Sequence, residues 1–271
     1  MARPLWVDNI IKKTFPQRFL AARLTRVPGL GRLMERWLFE GDELIVLPRE
    51  RTIRVDQAVA DLDQTVLPSQ VVEHFINEAN YHFLMHTCIC REAEGCRDYP
   101  IELGCLFLGE AALGINPRLG RRVTKEEALD HARKCREAGL VHLIGRGKLD
   151  TVRFNVGPGE KLLTICNCCP CCCLWKILPL VSGAISEKVH RMPGVRVWVN
   201  ENCTGCGQCA SDTCFVSAIT MDGSRAMIGE ACRACGRCVS VCRESAITLS
   251  FEAQHPVQDS IARLAPLVNI K

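Results

Sequence analysis

Apolar residues recur at helical spacing over much of the first half of the chain. Residues 1–40 carry Phe15, Phe19, Leu20, Leu24, Leu30, Leu33, Trp37, Leu38 and Phe39 among charged positions, and Pro16 and Pro28-Gly29 divide them into short helices. Residues 65–113 read as mostly helical. Pro68-Ser69 opens a helix with Ser69 as N-cap, and Val72, Phe75, Ala79 and Phe83 follow at its period. Tyr99-Pro100 opens another, on which Cys105 precedes Leu106, Phe107 and Leu108. Residues 124–138 form a helix begun by a Thr124/Glu127 capping box and stopped at Gly139, with Leu129, Ala132 and Cys135 on one face. Cys135 is therefore expected in the core.

The period then changes to two. Val195, Val197 and Val199 alternate as in a half-buried strand, and Ile219-Thr220-Met221 and Ala226-Met227-Ile228 flank the hairpin signal Asp222-Gly223-Ser224-Arg225. A short amphipathic helix through Ile261, Leu264 and Leu267-Val268 is expected to pack locally near the end of the chain. The longest apolar stretch, Leu174 to Ile185, contains Lys176 and Pro179 and is too short to span a bilayer.

Composition changes this picture at one residue type. Nineteen of the 271 residues are cysteine, while a charged fraction of 24% and a net charge of +4 describe an ordinary globular protein. No secretion signal is expected at Met1-Ala2-Arg3-Pro4-Leu5-Trp6, which implies a cytoplasmic chain whose cysteines bind metal rather than form disulfides. They fall into Cys88, Cys90, Cys96 and Cys105; Cys166, Cys168, Cys169, Cys171, Cys172 and Cys173; Cys203, Cys206, Cys209, Cys214, Cys232, Cys235, Cys238 and Cys242; and the lone Cys135.

The third group is an internal repeat. Cys203-x2-Cys206-x2-Cys209-x4-Cys214 is followed by Ala218-Ile219-Thr220, and Cys232-x2-Cys235-x2-Cys238-x3-Cys242 by Ala246-Ile247-Thr248. The first cysteines of the two halves are 29 residues apart and the Ala-Ile-Thr triplets 28. Over residues 195–251 the pattern resembles the bacterial-type dicluster ferredoxin. That resemblance implies a (βαβ)2 fold holding two [4Fe-4S] clusters, with the last cysteine of each run crossing to the other cluster. One cluster would take Cys203, Cys206, Cys209 and Cys242, the other Cys232, Cys235, Cys238 and Cys214. The glycines of Thr204-Gly205-Cys206-Gly207 and Cys235-Gly236 would let backbone N–H groups approach the cluster sulfurs. The chain departs from the family in the four-residue gap before Cys214 and in having Phe215 and Arg243 where proline usually follows the fourth cysteine. Arg243 is expected to raise the potential of its cluster relative to the other. Zinc is the competing occupant of such CxxC pairs.

The ten upstream cysteines are expected to hold one or two further iron–sulfur clusters, at least one bridging the two segments. Adjacent cysteines there would serve separate sites or leave a spare thiol. Zinc, a thiol-redox site and a purely structural cluster compete with this reading. His82, His86, His131 and His142 are expected to make ordinary hydrogen bonds.

Residues 1–40 carry eight lysines and arginines against three acidic residues, leaving +5 there and −1 over the rest of the chain. Such an arm packs on its own protein, docks an acidic redox partner or rests on an anionic membrane surface, with partner docking expected over membrane contact. No recognition motif suggests nucleic acid. The chain lacks GxGxxG with its strand–turn–helix context, a P-loop, CxxCH, CxxxCxxC, a nucleophile elbow and HExxH, so no organic cofactor is signalled. The fold class expected is α+β: a basic helical arm (1–50), a mainly helical Cys-rich domain (51–190), a dicluster domain (191–252) and a helical tail (253–271). The function expected is low-potential electron relay between oxidoreductase partners, as a subunit rather than a stand-alone enzyme. The alternative is a reductase with an unusual substrate-binding cluster in the Cys88–Cys173 region.

Overall fold

The computed structural model describes residues 2–50 and 67–271, so the domain boundary expected at residue 51 lies outside the described residues. Three helices, α1 (Leu5–Thr14), α2 (Arg18–Leu24) and α3 (Leu30–Leu38), lead into strand β1 (Glu43–Val46). Helix α4 (Ser69–Glu78), β2 (His82–Met85), α5 (Ile89–Ala93), β3 (Leu106–Leu108), β4 (Gly120–Val123), α6 (Lys125–Glu137), β5 (Val141–Arg146), α7 (Lys148–Phe154), β6 (Leu163–Cys168), α8 (Gly183–Ser186) and β7 (Val189–Arg191) follow. The repeat supplies β8 (Val195–Val199), the hairpin β9 (Ile219–Asp222) and β10 (Arg225–Ile228), α9 (Arg237–Val241) and β11 (Ile247–Phe251), and α10 (Pro256–Leu264) comes last.

The α+β class is as expected, and the Cys-rich segment combines its helices with a sheet. It holds six strands of a seven-stranded sheet ordered β4-β2-β3-β6-β5-β1-β7, antiparallel except for the β1–β7 pair. The helix opened at Ser69 ends at Glu78, and Phe83 stands on β2. Residues 99–105 are turns, and Leu106-Phe107-Leu108 is a buried strand rather than part of a helix. Short apolar runs suit a buried helix or a buried strand equally, and here ladder pairing on both sides decides for strand. Strand β1 comes from the segment expected to be a basic helical arm.

Gly145 permits the β1–β5 pairing. At φ +154° it brings its Cα against β1, where a Cβ would lie 2.0 Å from the Glu43 carbonyl oxygen.

The sheet's two faces are chemically different. One presents Ile45, Leu106, Leu108, Ile144, Leu163 and Ile165 to α4, α6 and α10, and Val195 and Leu249 of the repeat strands join the same apolar cluster. The tail helix therefore packs on α4, far away in sequence, and the repeat shares a core with the sheet. The opposite face presents Leu44, Val46, Val141 and Leu143, with Cys166 and Cys168 beside them. The arm and residues 173–181 cover that face. Helix α6 has both reciprocal hydrogen bonds of the expected capping box, and β8 and the β9–β10 hairpin stand where the alternation placed them. Among the described residues no helix is long and apolar enough to cross a membrane.

Candidate metal centres

All nineteen cysteines are free thiols. Eighteen of them gather in four groups around the thiol-bearing face and the repeat.

In the repeat, Cys203, Cys206, Cys209 and Cys242 line one cavity. Cys214 lies among Cys232, Cys235 and Cys238, whose charges repel one another and push Cys232, Cys235 and Cys238 above the usual thiol range after burial has begun the shift. The last thiol of each run thus stands beside the first three of the other. The two halves build this alike. Ala218 N–H reaches Cys214 Sγ at 3.2 Å and Ala246 N–H reaches Cys242 Sγ at 3.2 Å. Ser217 and Ser245, one residue earlier, both adopt left-handed backbone, at φ 48° and 49°. Gly205, at φ +72°, sits where a Cβ would meet the Ser224 carbonyl oxygen at 2.4 Å. The N–H groups of Ala226 and Gly205 both point at the Cys203 sulfur and hold its pKa below the usual range. Arg243 is exposed, where solvent screens its charge. The buried cation is Arg237, 4% exposed, whose charge favours the thiolates of Cys235 and Cys168 and which donates to the Cys168 carbonyl.

Upstream, Cys96, Cys169, Cys171 and Cys172 form a compact group with all four sulfurs within 4.8 Å of one another. It bridges the two segments, as expected, but the neighbours Cys171 and Cys172 lie in the same group, 3.5 Å apart. The turn at residues 170–172 brings both sulfurs to one side. The pair Cys172/Cys173 does divide, one thiol to each of two sites, while Cys168 lines the ring cavity and Cys169 belongs to the four-thiol group and borders that cavity too.

The remaining six thiols form a ring. Cys88 lies beside Cys105 and Cys90, Cys105 lies 3.7 Å from Cys166, and Cys168 lies beside Cys166 and Cys173. Cys90 feels the charge of Cys168, and Cys173 that of Cys90, which closes the circle around one cavity. Strand alternation sets half of this: Cys166 and Cys168 face the cavity while Asn167 faces away. Thiol neighbours pull Cys88 and Cys168 well below the ordinary thiol range and push Cys90, Cys166 and Cys173 well above it. A thiophilic cation would allow full deprotonation, so the donor set fits a metal or iron–sulfur core.

Between the ring and the four-thiol group sits Arg91, 0% exposed and absent from the expected site residues. It donates to the Asn167 carbonyl at 2.7 Å and to the Leu103 carbonyl. Burial opposes its charge, but Cys88, Cys169 and Cys105 more than offset that and hold it ionised. Its place directly after Cys88-Ile89-Cys90 is its only signal in the sequence. Asn167 extends the network to His142 Nδ1 at 2.8 Å and to the Gly104 carbonyl, which His131 also contacts at 2.9 Å. With His82 bonded to the Ile76 carbonyl, these three histidines make ordinary hydrogen bonds.

Cys135 is fully buried, and burial pushes its pKa up to about 12. It touches His131 at 3.5 Å and stands outside the four groups. Cys135→Ala is expected to leave the metal content unchanged and to cost about 1 kcal/mol, read by metal analysis and anaerobic thermal unfolding.

Two carboxyls border the ring cavity. Asp150 is buried, which raises its pKa, and accepts from Thr164 at 2.9 Å. Asp42 accepts from the Lys148 N–H at 2.6 Å through Oδ1, while its buried Oδ2 has no partner. Burial pushes Asp42 from 3.8 up to about 7. The folded state then binds a proton that the unfolded chain has released, so stability falls as pH rises through that window and levels off above it. Asp42→Asn, which keeps the Oδ1 acceptor, is expected to remove a slope worth up to about 4 kcal/mol. Unfolding midpoints across pH 4 to 8 read it, and equal slopes in the two proteins would refute it.

Comparison with protein-family models, curated proteins and solved structures finds no match to this chain. The chain is Cys-rich, with a group of thiols able to hold a metal, which is compatible with an iron–sulfur protein.

Proposed function

We propose that this protein is an iron–sulfur electron carrier, in which residues 195–251 act as a ferredoxin-type dicluster module and the upstream thiols hold further clusters. The observation that carries the reading is the exchange of fourth thiols: Cys242 lines the cavity of Cys203, Cys206 and Cys209, and Cys214 lies among Cys232, Cys235 and Cys238. Zinc sites need no such exchange, whereas two cubanes held by a duplicated motif use it. Bound at these sets, [4Fe-4S] clusters would supply one-electron redox chemistry. The chain's own residues would tune it through N–H groups aimed at sulfur and through the buried Arg237.

Neighbouring sites would pass electrons along the molecule. Cys214, Cys232 and Cys235 pack in the same apolar cluster as Cys166, Cys168 and Cys173, and Arg237 faces both sets. On the far side of the ring, α1 packs on α5, which carries Cys90, and α2 packs on the turn after Cys173. The arm's inner charges are tied down, as in Asp8–Arg153 and Arg18–Glu94. Its outer face exposes Trp6 (62%), Leu20 (63%), Leu33 (50%) and Trp37 (67%) beside exposed Lys13, Arg23, Arg32 and Arg36. A redox partner with an acidic rim docked there would lie next to the ring.

A second reading, a reductase acting at the ring, is favoured by Asp42 Oδ2, a buried oxygen without a partner at the ring cavity and a ready proton source. A change in the EPR spectrum of the reduced protein on adding cyanide would favour it over plain relay.

Anaerobic purification with iron, sulfide and zinc quantitation and EPR tests the main proposal. About eight irons from the repeat alone, with further iron upstream, is the expected result. Zinc in place of iron sinks it.

A further inference from the structure

Seven cysteines line the ring cavity; Cys169 among them belongs to the four-thiol group, and the other six are two more than a cubane uses. They are not a surplus left by a shortage of sites, because the four-thiol group is filled by Cys96, Cys169, Cys171 and Cys172 and the repeat by its own eight cysteines. The cavity they surround is about 70 Å³, against about 20 Å³ at the Cys203 set, which is built for one cubane if the function proposed above holds. The ring also has two halves in sequence. Cys88, Cys90 and Cys105 come from the first segment and Cys166, Cys168 and Cys173 from the second, and the halves meet where Cys105 and Cys166 lie 3.7 Å apart. Three thiolates can cap one end of a cluster, and two such caps face each other here. Arginines compensate part of the charge that six thiolates bring: Arg91 faces Cys88 and Cys105, and Arg237 faces Cys168.

We propose that the six-thiol ring binds one iron–sulfur cluster of more than four irons, capped at one end by Cys88, Cys90 and Cys105 and at the other by Cys166, Cys168 and Cys173. This rests on the iron–sulfur reading of the protein. An extended cluster there would put a centre unlike the repeat's cubanes between the arm and the Cys214 site.

The test uses the full chain enriched in iron-57 and purified anaerobically. Wild type is compared with Cys105→Ser/Cys166→Ser by iron count and Mössbauer spectroscopy, and the EPR signal of the repeat's clusters reports that the variant has folded. The expected result is a loss of more than about four irons per chain with that EPR signal kept. A loss of about four irons or fewer overturns the proposal while leaving the electron-carrier reading intact. Wild type without iron would defeat that reading first, and this one with it. Anaerobic alkylation of native wild type, followed by mass spectrometry, decides the matter should the variant lose its EPR signal. All six ring thiols protected is the expected result, and two alkylated thiols among them would mean a cubane with a spare pair.

Discussion

Arg91→Met is expected to lower the anaerobic thermal midpoint by roughly 10 °C, from a loss of about 3–5 kcal/mol. Arg91 is fully buried, donates to two backbone carbonyls and faces sulfurs of two sites. Methionine fills much of the volume but leaves the Leu103 and Asn167 carbonyls without donors and the thiolates of Cys88, Cys105 and Cys169 without a cation. The cost of such a deletion comes mostly from the charges left behind. Arg91→Lys keeps the charge, but a single ammonium cannot reproduce the planar fork that spans both carbonyls, so it should recover only part of the loss. A midpoint within a degree or two of wild type for Arg91→Met would show that the two thiol groups need no cation between them.

The second large effect concerns the crossed thiols. Cys242→Ala is expected to disturb the same EPR signal as Cys203→Ala and Cys206→Ala, although Cys242 belongs to the other run. Cys214→Ala should in turn disturb the signal shared by Cys232→Ala and Cys235→Ala. Each variant should lose up to about four irons, half of what the repeat holds. The basis is geometric: Cys242 lines the cavity of the first set, and Cys214 lies among the second. If Cys242→Ala altered the signal of its own run, each run would be a self-contained site and the ferredoxin reading would fail.

The repeat was legible because its information is local. Cysteine gaps, the Ala-Ile-Thr triplets and the Asp222–Arg225 turn all act within a few residues, and β8 and the β9–β10 hairpin stand where the local pattern points, whereas the crossing of the fourth thiols was implied only by the ferredoxin resemblance. The strands of the Cys-rich segment are not legible because they are three to six residues long and are selected by partners distant in sequence. Phe83 falls at the helical period of Val72, Phe75 and Ala79, yet the chain leaves the helix after Glu78 and Phe83 pairs with Phe107 on β3. The division of the ten upstream thiols depends on that sheet. Cys166 and Cys168 share a face only because residues 163–168 are a strand, and Cys105 meets Cys166 because β3 pairs with β6. Arg91 and Asp42 carry no motif, and their importance lies in burial that only the assembled fold creates.

The stretch from Cys168 to Cys173 forms a common wall between two thiol groups, with Cys168 and Cys173 on one side, Cys171 and Cys172 on the other, and Cys169 bordering both. Whatever binds on one side fixes the backbone that presents ligands on the other, so the ordering entropy of the wall is lost once for both sites. If both groups bind metal as proposed, loading would be cooperative without any contact between the two bound groups, and scarce metal would divide chains into empty and full rather than half-filled forms. The length of the wall is fixed as well: one inserted or deleted residue between Cys168 and Cys173 misplaces thiols of two groups at once, leaving this short segment little room for variation in length.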